Sequence, residues 1–253
     1  MKPKKIIACL DVKDGEVVKG VNFINLQHIG KPAELAKKYN NEGADEVVFL
    51  DISKTQEGHD LMLEAVSDTA KELSVPLTVG GGIQSNDDIK QLLDAGADKV
   101  SINSAALKNP NFIRQASKTF GSQSIILAVD VKYDTELEDY YVYTHGGTKR
   151  ADKKAFDWLV EGEAAGAGEL LITSMDHDGV KSGFDTEFLK KAAEIVNIPV
   201  TASGGAGNIS HFVDLFQETN AAAGLAASIF HRDEVNIRDL KQELNQNGIE
   251  VGM

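Results

Sequence analysis

Ile6-Ile7-Ala8-Cys9-Leu10-Asp11 and Ile125-Ile126-Leu127-Ala128-Val129-Asp130 are short apolar runs almost half a chain apart, and each closes on an aspartate. Both read as buried strands with a carboxylate at the C-terminal end. Their surroundings repeat as well. Val79-Gly80-Gly81-Gly82-Ile83 aligns with Ala202-Ser203-Gly204-Gly205-Ala206, and Ile102-Asn103-Ser104-Ala105 aligns with Ala226-Ala227-Ser228-Ile229. Shifts of about 119 to 124 residues recur along the chain, which marks an internal duplication.

Outward from these runs, apolar segments rich in Val, Ile and Leu alternate with amphipathic stretches, the pattern of parallel strands buried on both faces. Strands are expected at Lys5 to Asp11, Glu46 to Asp51, Leu77 to Val79 and Lys99 to Ile102, then at Ile125 to Asp130, Glu169 to Thr173, Val200 to Ala202 and Ala222 to Ala226. Helices fall between them, among them Pro32 to Asn41, Leu61 to Leu73 and Asn86 to Ala95, the last behind Ser85 as N-cap. Eight alternations predict an α/β fold, a (β/α)8 TIM barrel of two similar half-barrels. It is expected to be one domain over residues 1–253, a usual length for such a barrel.

Composition narrows the function. A formal net charge of -13 argues against a nucleic-acid partner, which needs a basic face. No apolar segment is long enough for a membrane span, and the run behind the basic start is too short for a secretion signal, so a soluble, cytoplasmic protein is expected. The single cysteine, Cys9, excludes an internal disulfide and a zinc site built on several thiolates. In phase with Asp11, it reads as a small core residue and not a nucleophile. No metal cluster and no dinucleotide fingerprint is present, so no metal and no cofactor is expected.

Barrel active sites lie at the C-terminal ends of the strands, where Asp11, Asp51, Asn103, Asp130, Thr173 and the glycine runs all fall. A lone aspartate there often caps the next turn. Asp11 and Asp130, at matching ends of strands one and five, read instead as an acid/base couple. Gly80-Gly81-Gly82 and Gly204-Gly205 each precede a helix and allow backbone N–H groups to approach an anion closely. With Asn103-Ser104 and Ala227-Ser228 they predict two phosphate sites facing each other, and therefore a ligand with a phosphate at each end.

The opposite end of the barrel is also unusual. Counting by twos, Lys5 is in phase with Asp11, Lys99 with Asn103 and Glu169 with Thr173, and Glu46 similarly begins strand two. Two readings stand side by side: solvated strand ends at the rim, or two cations and two anions paired as a closed polar plug or gate.

Ile7-Ala8-Cys9-Leu10-Asp11-Val12-Lys13-Asp14-Gly15 with Val17-Val18-Lys19-Gly20 closely resembles the start of the cyclase subunit of imidazole glycerol phosphate synthase. Phe49-Leu50-Asp51-Ile52, the Gly80 run, Ala97 to Asn103, Thr173-Ser174-Met175-Asp176, Ser203 to Gly207 and Leu225 to Ser228 extend the resemblance over the whole length. It implies a lyase of histidine biosynthesis. Ammonia attacks the phosphoribulosyl-formimino-aminoimidazole carboxamide ribonucleotide and gives imidazole glycerol phosphate and aminoimidazole carboxamide ribonucleotide. It implies a glutaminase subunit as heterodimer partner, docked at the barrel's bottom, with ammonia travelling along the axis.

By the same resemblance Asp11 and Asp130 are the catalytic carboxylates. The implied substrate positions are Lys19, Gly82, Asn103, Ser104, Asp178, Gly179, Gly205, Ala227 and Ser228. Glu46, Lys99 and Glu169 match three of the four residues of the ammonia gate, Lys5 stands at the fourth, and Asp98 matches a contact on the partner face. Departures are Lys5 and Gln27 for arginines, His177 and Val180 for arginine and threonine, and Ala151-Asp152 for threonine-glycine. They bear on gate geometry and loop closure. Two rivals remain: an aldose-ketose isomerase of the same pathway, which needs no ammonia route, and a non-catalytic barrel that serves as scaffold for a glutaminase.

Overall fold

The computed structural model describes residues 2–21, 24–53 and 56–252, and side chains at all of these except 19–26 and 54–61. Eight parallel strands form the barrel: β1 Lys5–Lys13, β2 Glu46–Asp51, β3 Leu77–Gly80, β4 Lys99–Ile102, β5 Ile125–Asp134, β6 Glu169–Ser174, β7 Val200–Ser203 and β8 Ala223–Ala226. Each pairs with the next, and β8 returns to β1 in register Lys5↔Ala223, which closes the ring. Outside it lie the helices Pro32–Glu42, Gln56–Lys71, Asn86–Asp94, Asn111–Phe120, Ala155–Ala165, Thr186–Ile195, Ile209–Glu218 and Ile237–Gln246. The (β/α)8 expectation holds.

Why the elements stop where they do is local chemistry. Ser85 accepts the Asp88 N–H while the Asp88 carboxylate accepts the Ser85 N–H, a capping box that sets the start of Asn86–Asp94. The helix Pro32–Glu42 has Pro in its first turn and ends on Gly43 at φ 92.

The expected strand ends needed two corrections. β1 continues to Lys13 and turns through Asp14 (φ 51) and Gly15 (φ 81) into an antiparallel hairpin, Glu16–Val21 with Ile24–Gly30. β5 continues to Asp134 and pairs with Asp139–Thr144, which pairs with Lys149–Lys154. Both corresponding strands of the two halves therefore leave the barrel as hairpins above its mouth. Smaller shifts also appear: β8 begins at Ala223, and the second helix runs earlier, over Gln56–Lys71.

The core has two compartments. The larger lies between sheet and helices and holds Leu10, Phe49, Val79, Leu127, Trp158 and Phe212. The smaller fills the barrel itself with Ile7, Cys9, Val48, Ala223 and Leu225. Alternation places Cys9 in that interior, where it serves as a small packing residue. Barrel ends are fastened by the last helix: Lys241, nearly buried, donates Nζ to Asp45 Oδ1 at 2.7 Å, and Asp45 Oδ2 accepts the Ile6 N–H at 2.7 Å.

Two glycines show the duplication at atomic scale. Gly81 (φ +97) would put a Cβ 2.0 Å from the Asp51 carbonyl oxygen, and Gly204 (φ +90) would put one 2.6 Å from the Ser174 carbonyl oxygen. Each crowds the last residue of the preceding strand. Gly81→Ala and Gly204→Ala should each lower Tm by roughly 3 to 10 °C, from strain of about 1–3 kcal/mol. Gly43→Ala, with a similar φ and open space around it, should lose less. Equal losses in thermal melts of all three would show that the close approach contributes nothing.

Candidate active site

At the mouth, closure sets β1 opposite β5, four strands apart in either direction around the ring. Asp11 ends the inward row of β1, is buried, and accepts a long contact from Cys9 Sγ–H to Oδ1 at 3.9 Å. Asp130 occupies the matching place on β5, opposite Thr173 of β6. Asn103, just beyond β4, donates Nδ2–H to Asp130 Oδ2 at 3.2 Å, while its own Oδ1 is buried without a hydrogen-bond partner. That amide is oriented by the aspartate and has an acceptor to spare.

Burial pushes the Asp130 carboxyl up to about 6; the Asn103 hydrogen bond opposes the rise and the Asp178 charge adds to it. A carboxyl in that range exchanges protons near neutrality, as a general acid or base must. Asp51, also buried, does different work: its Oδ1 accepts the Ser53 N–H at 2.8 Å and ties the chain that leaves β2. For Asp51 the turn-capping reading is the one the geometry supports.

The glycine runs line the same rim. Beyond Gly81, Gly82 (φ +69) has open space where a Cβ would stand, and beyond Gly204, Gly205 (φ +103) packs against the Gly183 carbonyl. Asn103 (φ -120, ψ -94) leads into the short helix Ser104–Lys108, and Ala227 (φ -127, ψ -70) leads into Ser228–His231 with a similar backbone. Asp178 and Gly179 sit in the turn after β6, where the Asp178 N–H bonds to the Ser174 carbonyl at 2.9 Å and Gly179 has φ 75. His177 donates Nδ1–H to the Gly183 carbonyl at 2.8 Å, and Val180 is exposed. The Lys19 backbone lies in the strand Glu16–Val21, but its side chain is outside the described residues.

At the other end of the axis, the charged residues meet. Lys99 Nζ donates to Glu46 Oε2 at 2.6 Å and to Glu169 Oε2 at 3.2 Å. Glu46 is 1% exposed and Lys99 15%, so neither is a solvated strand end. Burial pulls the Lys99 ammonium down, but the charges and hydrogen bonds of Glu46 and Glu169 outweigh it and its pKa is raised. Lys5 is peripheral: its Nζ is 3.8 Å from Glu46 Oε2 and its side chain 47% exposed. The rim reading fits Lys5 and the paired reading fits the other three.

Asp98 Oδ2 accepts the Leu77 N–H at 2.8 Å, so it also anchors the start of β3. Two members of the layer escaped the sequence reading. Thr78 bonds Glu46 Oε1 at 2.5 Å and Thr201 bonds Glu169 Oε1 at 2.7 Å, a cross-strand relation that only counting inward positions on β3 and β7 could have exposed.

Fold and mouth together define a (β/α)8 barrel made of paired half-barrels, with carboxylates at corresponding strand ends. A family profile described as histidine biosynthesis protein matches residues 5–236. The chain is 60% identical over 251 residues to imidazole glycerol phosphate synthase subunit HisF of Staphylococcus saprophyticus, covering 99% of this chain and 100% of that protein. Subunits of the same name from Staphylococcus epidermidis and Staphylococcus aureus are each 59% identical over the same shares. The chain belongs to the family of imidazole glycerol phosphate synthase subunit HisF.

Among the described residues no helix is long and apolar enough to cross a membrane, and no group of three or more His, Cys, Asp or Glu is placed to hold a metal ion.

The raised Asp130 pKa has a consequence for stability. The neutral form is favoured in the fold, so its contribution is fully present below the unfolded carboxyl pKa and is lost as pH rises through about 6. Asp130→Asn, uncharged throughout, should melt higher than the unmodified protein at pH 8 and level with it at pH 4. A Tm difference that does not change between the two pH values would remove burial as the cause.

Proposed function

We propose that this chain is the cyclase subunit of the synthase and acts as a lyase at the barrel mouth. Ammonia adds to the formimino carbon of the phosphoribulosyl-formimino-aminoimidazole carboxamide ribonucleotide, aminoimidazole carboxamide ribonucleotide leaves, and the new nitrogen condenses with the ribulosyl carbonyl, losing water as the imidazole ring of imidazole glycerol phosphate closes. The observation that carries this reading is the pair of aspartates on opposite strands, one of them with its pKa pushed up to about 6. Addition, bond cleavage and ring closure each move protons, and two carboxylates in different surroundings divide such work.

Substrate is held at both ends. Gly82, Asn103 and Ser104 serve one phosphate, and Gly205, Ala227, Ser228, Asp178 and Gly179 lie toward the other. Backbone N–H donors suit this acidic chain, because they bind anions without many lysines. Lys19 reaches the substrate from the first hairpin. The interior walls of Ile7, Val48, Ala223 and Leu225 make the axis apolar between mouth and base, a path that suits a small neutral amine better than an ion.

The partner is a glutaminase subunit docked on the face that bears Asp98, and it delivers ammonia through the layer of Lys99, Glu46, Glu169 and Lys5. The isomerase alternative gives no use to that layer, and the scaffold alternative gives none to a proton-exchanging Asp130.

Asp11→Asn and Asp130→Asn should each lower ammonium-dependent turnover by at least about a hundredfold with substrate affinity little changed. Near-normal turnover in either variant would remove that residue from the mechanism.

Glutamine should support product formation only with the glutaminase subunit present, whereas ammonium salts should work without it, increasingly so as pH rises and neutral ammonia grows. Lys99→Ala, which takes the shared cation from buried Glu46 and part-buried Glu169, should raise glutamine hydrolysed per product formed far more than it slows the ammonium-dependent reaction. Equal losses in both activities with that ratio unchanged would make Lys99 a structural residue only.

A further inference from the structure

Each carboxylate at the base of the barrel has a second partner besides Lys99. Thr78, fully buried on β3, donates its Oγ1–H to Glu46 Oε1 at 2.5 Å. Thr201, buried on β7, donates to Glu169 Oε1 at 2.7 Å. The remaining oxygen of each carboxylate, Oε2, takes the Lys99 ammonium at 2.6 and 3.2 Å.

The two arrangements share one register. Thr78 lies opposite Val48, two residues along β2 from Glu46, and Thr201 lies opposite Leu171, two residues along β6 from Glu169. The cation breaks the repeat: across its other edge Thr78 faces Lys99, but Thr201 faces Ala223. Two Glu–Thr units therefore share a single lysine.

A glutamate carboxylate turns easily about its last torsion, which is broad and roughly two-fold. An ammonium on one oxygen fixes distance but not orientation. A hydroxyl on the second oxygen removes that freedom, and in a buried setting the unmade bond would be costly. With both outer oxygens taken by threonines, the inner oxygens converge on Lys99, and of these three paired residues the lysine on its flexible stem keeps the most freedom to move.

We propose that Thr78 and Thr201 are positioning residues of the ammonia gate: their hydroxyls hold Glu46 and Glu169 fixed, so that opening moves Lys99 alone and reclosing is registered. This rests on the gate reading given above. Neither threonine touches substrate, and neither is needed for chemistry at the mouth.

The test uses Thr78→Val and Thr201→Val, which keep shape and lose the donor, beside Thr78→Ser, Thr201→Ser and Lys99→Ala, each assembled with the glutaminase subunit. Glutamine hydrolysed per product formed, ammonium-dependent turnover and Tm are measured for all. The valine variants should raise the glutamine-to-product ratio roughly fivefold, the weight of one net hydrogen bond, with ammonium-dependent turnover unchanged. The serine variants should restore the ratio.

Thr201→Val supplies the same comparison on the other half-barrel should Thr78→Val fail to assemble. A normal ratio in the valine variants with a raised one in Lys99→Ala would overturn the positioning role and leave the gate standing. A normal ratio in all of them would overturn both. Equal effects of valine and serine would show that side-chain shape matters and not the hydroxyl.

Discussion

Two glutamates point into the narrow base of a closed barrel, and one lysine between them makes that tolerable. Glu46 and Glu169 come from β2 and β6, on opposite sides of the ring, and Lys99 from β4 reaches both. A buried carboxylate without its cation costs about 3–5 kcal/mol, and here one cation serves two. The rest of the interior is arranged around that cluster. Above it comes the apolar layer of Ile7, Cys9, Val48, Ala223 and Leu225, and above that the polar mouth with Asp11, Asn103 and Asp130. The pleat alternation that sends Glu46 inward also sends Val48 and Leu50 inward, so the layers are not independent choices.

The duplication is strictest where backbone geometry is concerned. Gly81 and Gly204 crowd equivalent carbonyls, Asn103 and Ala227 share an uncommon ψ, and both β1 and β5 run on into hairpins. Side chains have diverged where charge matters. Asn103 has Ala227 as its counterpart, and by register Lys99 has Ala223. The backbone frame is repeated in both halves, whereas the asymmetric residues give the mouth one oriented amide and the base one lysine shared by two acids.

Mouth and base treat their carboxylates in opposite ways. At the base, Lys99 and the threonine hydroxyls satisfy both oxygens of Glu46 and Glu169. At the mouth, Asp130 has one neutral amide donor and the Asp178 charge nearby, and burial raises its pKa. Held by a neutral amide, the Asp130 carboxyl is left able to take up and release a proton near neutrality.

Much of this was legible in the chain alone. Strand starts, the eightfold alternation, the Ser85 cap and the inward phase of Cys9 and Asp11 follow from local rules of period and capping. The hairpin at Asp14-Gly15 is legible in principle, since two residues that tolerate positive φ between alternating runs signal such a turn, although Asp11 by itself also marks a strand end. Other facts were out of reach. Alternation shows that Lys5, Lys99, Glu46 and Glu169 are in phase, yet not that Lys5 stays at the half-exposed rim while Lys99 bridges both acids. Nor does it show that Thr78 and Thr201, though in phase to face inward, bond those two acids, or that Asn103 holds Asp130. Phase along a strand is a property of neighbouring residues, and so it is written in the sequence. Which groups meet across the axis depends on the stagger between strands once the ring has closed, and only the tertiary structure decides that.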